Sequence, residues 1–119
     1  MSEYVKHLKR LKSVLKREML LDVDHFLDKL VEKDLITTAQ EMELKGRSAY
    51  EHKVDGIFHI LTHKNVKSTY YDVERILEEM DRCDIIVEMM KQYYLLILEC
   101  QSQQSFSNGV SYILIGLGL

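Results

Sequence analysis

Apolar residues along the chain recur at steps of three and four. Leu8, Leu11 and Leu15 form the first such set, and Val23, Phe26, Leu27, Leu30 and Val31 form a fuller one. The spacing returns in Val54, Ile57, Phe58 and Leu61, in Val73, Ile76, Leu77 and Met80, and in Ile86, Met89, Met90 and Tyr93. A repeat near 3.6 puts each set on one face of an α-helix. Start signals fall between the sets: Asp22 as a cap, Thr38 with Glu41 as a capping box, and Ser48 with Glu51 as another. Breaks are expected at 20–22, 33–37, 45–48, 63–68 and Asp81. The pattern therefore predicts six short helices by about Gln92, with links short enough to force compact antiparallel packing.

Composition agrees with this all-α reading. The 119 residues suffice for one domain with a real core, contain no proline, and hold three of their five glycines in the last eleven positions. The character changes after Gln92. "YYLLILEC" can extend the last helix, "QSQQSFSNG" is polar and low in complexity, and "VSYILIGLGL" is apolar. We read residues 1–92 as the domain and 93–119 as a tail outside its core, a helix extension followed by poorly ordered chain. The apolar tail carries an aggregation risk, and docking on the domain or on a partner is its functional alternative. Its last ten residues are about half the roughly 20 that a spanning helix needs, so no membrane span is expected. A start as charged as "MSEYVKHLKRLK" does not read as a signal peptide, and Cys83 and Cys100 make neither a disulfide framework nor a metal spacing. A reducing, cytoplasmic location is the expectation.

Charge adds the main clue. The net charge is only −3, which counts against a general nucleic-acid or membrane-surface binder. Its distribution is uneven, however. Residues 1–20 carry six basic against two acidic side chains, and residues 21–44 carry seven acidic against two basic. Residues 45–67 are net positive again and 68–92 net negative. Signs that segregate by helix do little for pairs within a helix. They do allow head-to-tail contact between copies, which builds open helical assemblies when it does not close.

The stretch "VDHFLDKLVEKDLITTAQEMEL" (Val23 to Leu44), followed by "KVDGIFHIL" (Lys53 to Leu61) and "TYYDVERIL" (Thr69 to Leu77), resembles a caspase recruitment domain of the death-fold superfamily. The likeness is strongest to initiator-caspase prodomains and their adaptors, and it covers roughly residues 5–92. It implies a six-helix antiparallel Greek-key bundle and homotypic docking, with a basic patch on helices one and four meeting an acidic patch on helices two and three of another domain. By position the acidic patch would be Asp24, Asp28, Glu32 and Glu41, and the basic patch Lys12, Lys16, Arg17 and Lys53. The fourth helix departs from the pattern, because Glu51 and Asp55 stand where basic residues are common. The implied function is a non-enzymatic adaptor or decoy in apoptotic or inflammatory (innate immune) signalling. Its partners would be recruitment-domain proteins (an initiator caspase, an adaptor or a NOD-like receptor), with self-association into helical oligomers as a further possibility.

Two other readings stand beside this one. "DRCDII" (Asp81 to Ile86) is similar to the RxDLL motif of death effector domains, in which the charges hold the last helix; its plainer reading is a helix start capped by Asp81. A structural subunit of a helical oligomer, with surface charge serving solubility, is the third. Chemistry is not expected. His59 and His63 stand four apart but lack a third ligand nearby, Cys100 lies in "ECQSQQ", and no two glycines lie close together before Gly109. No catalytic residue, metal, cofactor or nucleic acid is assigned.

Overall fold

A computed structural model describes residues 2–91 of the 119. Four of the apolar stripes form helices α1 Glu3–Arg17, α2 Val23–Glu32, α4 Tyr50–Leu61 and α5 Val66–Glu79, and α3 Thr38–Lys45 lies between α2 and α4. A sixth helical run, α6, occupies 83–91, and no strand occurs among the described residues. The structure is thus all-helical. α1 packs on α4 and α5, α2 packs on α3, α4 and α5, and α3 packs on α4. The expected tail 93–119, with Tyr93 and Cys100, lies outside the described residues.

The core is built from the predicted stripes. Leu8, Leu11 and Leu15 meet Phe26, Leu27 and Leu30, then Val54, Ile57, Phe58 and Leu61, then Val73, Ile76 and Leu77, all essentially inaccessible to water. Burial of side chains this size contributes roughly 1.5–3 kcal/mol each. Residues of the links also enter the core, since Leu21, Leu35 and Ile36 are buried. On α6 Met89 of the expected stripe is buried and Ile86 and Met90 pack partly covered against the core, but Ile85 is buried as well, so the inner face is rotated towards it. Both faces carry apolar residues, and periodicity alone does not choose between them.

Helix ends correct three expectations. Asp22 caps α2 as expected, its carboxylate accepting from the His25 amide. The capping box of α3 is Thr37 with Gln40, one residue before Thr38 with Glu41. Thr37 and Gln40 satisfy each other's backbone amides, and Glu41 is released to bind Lys45 instead. Ser48 and Glu51 form no box. α4 starts from Ala49 without a side-chain cap, and its first residue, Tyr50, is held by its hydroxyl, which donates to the Leu15 carbonyl at 2.7 Å and accepts from the Leu21 amide at 3.3 Å. Asp81 does not start α6; it ends α5. With φ of 59° it closes a Schellman turn, in which its own amide bonds to Glu78 and the Arg82 amide to Leu77. Asp34, at φ 57°, ends α2 in the same way through the carbonyls of Val31 and Leu30. Aspartate is among the few non-glycine residues that tolerate this left-handed conformation, which explains two sharp helix ends in a chain poor in glycine.

One buried titratable group has a consequence for stability. His7 is 6 % exposed between α1 and α5, with its ring 5.2 Å from that of Tyr70. Burial pushes its pKa below 6.5, Arg10 adds to the effect, and Glu3 and Glu74 oppose it. The fold therefore favours neutral imidazole, and its contribution is complete above the unfolded value near 6.5. As pH falls from there towards the lower folded value, the unfolded chain takes the proton first and stability is lost. His7→Phe keeps a ring against Tyr70 and should flatten the decline in unfolding free energy between pH 7.5 and 5.5. Denaturant melts of both proteins at several pH values would show equal slopes if His7 played no such part.

Candidate interaction surfaces

The expected acidic positions come from two helices that pack together. Lys45, in the last turn of α3, binds Asp28 of α2 and lies 3.2 Å from Glu41 of its own helix. One ammonium therefore reaches both carboxylates, so Asp28 and Glu41 form a single cluster. Asp24 lies one helical turn before Asp28, and Glu32 one turn after it beside Lys29 at 3.7 Å. Lys45 holds the Asp28 carboxyl below its ordinary pKa, and the Lys45 ammonium is raised in turn by Asp28 and then Glu41. The pair persists at neutral pH. The cluster of two carboxylates and one ammonium keeps one net negative charge.

The basic positions gather in a similar way. Lys12 and Lys16 are one turn apart on α1, and both ammonium groups lie against Asp55 of α4, at 3.4 and 2.8 Å. Lys16 first, and Lys12 after it, hold the Asp55 carboxyl below the usual carboxylate range. Arg17 is exposed in the last turn of α1. Lys53 does not join this group: its ammonium binds Asp24 of α2 at 3.1 Å and so stands with the acidic positions. Successive side chains of α4 are turned by about 100°. Lys53 and Asp55 therefore face different neighbours, and each lies beside an opposite charge.

Beside Lys12 and Asp55 runs a groove of about 750 Å³, bounded by α1, α3 and α4. Leu8, Leu44 and Phe58 form its apolar floor, and Lys12, Arg47 and Asp55 stand among its walls. Gly56 lies close against the Leu44 side chain of α3, and a Cβ there would run into it and come within 2.6 Å of the Arg47 guanidinium.

The "DRCDII" segment forms a defined contact. Arg82 grips Asp84 through two bonds of 3.1 Å, and its remaining nitrogen donates to the Leu20 carbonyl at 2.8 Å. It thereby ties the start of α6 to the link between α1 and α2. His59 and His63 lie near each other, ring centroids 4.7 Å apart. No group of three His, Cys, Asp or Glu suited to a metal occurs among the described residues. No helix of the described residues is long and apolar enough to cross a membrane.

Sequence reasoning missed the counter-charges. Lys45 could have been found, because it stands four residues after Glu41 on one helix. Asp55 could not have been assigned to Lys16, which is 39 positions away.

A scan against protein-family models finds no match, and searches of curated proteins and of solved structures find none either.

Proposed function

We propose that this chain is a death-fold interaction module of the caspase recruitment type, a non-enzymatic adaptor or decoy that docks through charged patches. The observation that carries the reading is the gathering of Asp28 with Glu41, from two different helices, and of Lys12 with Lys16 on α1. Six helices in the order and spacing of that family, in a Greek-key arrangement, are the expected frame. The partner is a domain of the same build, from an initiator caspase, an adaptor or a NOD-like receptor, or a second copy of this chain, in a cytoplasmic signalling complex.

Exposed charges are screened over about 10 Å at 0.1 M salt, so docking of this kind weakens as salt rises. The test is a pull-down of the full chain against a panel of purified death-fold domains at low and high salt. Retention of a recruitment domain at low salt, lost at high salt, is the expected result. Retention of none, or retention indifferent to salt, would remove the reading.

A second reading has its own observation. The Arg82–Asp84 fork, extended to the Leu20 carbonyl, is the kind of charged network that a death effector domain places at its last helix. Selective retention of effector domains on the same panel would decide for it.

A further inference from the structure

The basic group carries a counter-ion of its own. Lys12 and Lys16 project from successive turns of α1, and both ammonium groups converge on one atom, Asp55 Oδ1. The three side chains are 37, 30 and 39 % exposed, so the triad is open to a partner from the solvent side. Without Asp55 two lysines would offer two positive charges; with it they offer one. The carboxylate stays ionised at neutral pH, because both neighbours hold its proton affinity down.

We infer that Asp55 is a built-in competitor for the basic surface, so that a partner's carboxylates engage Lys12 and Lys16 only against it. The inference rests on the docking reading above and adds a selection rule to it. A partner with one carboxylate merely exchanges one ion pair for another, and it places its charge beside Asp55. A partner with two neighbouring carboxylates, such as acidic residues four apart on a helix, can hold each ammonium separately and still gain. The chemistry that fits is therefore a surface with paired carboxylates, and Asp55 rejects weaker acidic surfaces by raising the threshold for all of them.

The rule can be tested without knowing the natural partner. Poly-L-glutamate, immobilised at low salt, serves as the probe for the full chain. Asp55→Asn is nearly isosteric and should bind it about two- to fivefold more tightly than the wild type, the range expected for an exposed ion pair. Glu78→Gln, an equal change of charge at an exposed position of α5, should shift binding less. Adding Lys16→Met to Asp55→Asn should remove the gain, and circular dichroism confirms that each variant is folded. Should Asp55→Asn not fold, Asp55→Ala is to give the same order.

Equal binding by Asp55→Asn and Glu78→Gln, or a gain that survives the loss of Lys16, overturns the inference. The docking reading fails separately, when the chain retains no death-fold domain, and that result leaves the poly-glutamate comparison intact.

Discussion

Lysine in place of Asp28 is expected to abolish association with a partner's basic surface, raising Kd by roughly a hundredfold or more. Asp28 is half exposed on α2, and it forms one cluster with Glu41 around Lys45. Reversal does more than delete an attraction. It sets a second ammonium beside Lys45, leaves Glu41 as the nearest carboxylate, and turns the cluster from one net negative charge to one net positive. An approaching basic surface then meets repulsion, which acts on specificity more strongly than the loss of a single contact. The fold should barely register the change, because exposed ion pairs contribute little to stability. The helical spectrum should be unchanged and the melting temperature only slightly lower. Glu78→Lys, the same reversal on an exposed position of α5, is the control and should bind as the wild type does. Calorimetry or fluorescence polarisation with the retained domain measures all three proteins. Undiminished binding by Asp28→Lys would mean that the partner docks elsewhere.

Gly56→Val is expected to lower the unfolding free energy by about 2 kcal/mol or more, and Gly56→Ala by less. Two effects oppose each other here. Glycine inside a helix costs about 0.5–1 kcal/mol relative to alanine, so substitution brings a gain on propensity. Against it, any Cβ at this position collides with Leu44 and Arg47. Neither neighbour moves freely. Leu44 is the sole buried residue of α3, and Arg47 is bonded to the His52 carbonyl at 2.8 Å and to Glu43 at 3.0 Å. Overpacking of about 1–3 kcal/mol, with loss of these bonds, outweighs the gain. Valine adds two methyl groups and prefers helices less than alanine does, so its effect is larger. The damage should be local at first: hydrogen exchange of the α3 amides should quicken before those of α1 and α4 do. A Gly56→Val protein that melts with the wild type and keeps α3 protected would show that α3 does not depend on this close approach. A displaced α3 would also move Glu41 away from Asp28, so weaker docking should accompany the loss of stability.

How much of this was legible beforehand differs from feature to feature. Phe26, Leu27 and Leu30 were readable as core from their spacing, as were Val54, Ile57, Phe58 and Leu61. That a helix buries one face depends only on residues three and four apart, which the chain itself supplies. α3 was readable only from its start signal, and even that was placed one residue late, since Thr37 and Thr38 are chemically alike as caps. On α6 the expected Met89 is buried and Ile86 and Met90 pack against the core, but the fully buried isoleucine is Ile85, because Ile85 and Ile86 offer equal hydrophobicity at adjacent positions. Only packing against the other helices distinguishes them.

The charged surfaces divide along the same line. That basic residues crowd α1 and acidic ones α2 and α3 follows from order along the chain, and needs no coordinates. Which charges meet is a matter of helix packing. The tertiary structure brings Asp55 to Lys12 and Lys16, brings Lys53 to Asp24, and joins Lys29 of α2 and Lys33 just past its end to Glu79 of α5. Local periodicity is encoded within one or two helical turns, so the primary structure determines it alone. Ion pairs between helices depend on the rotation and approach of whole segments, and those are decided only when the apolar faces close on a common core.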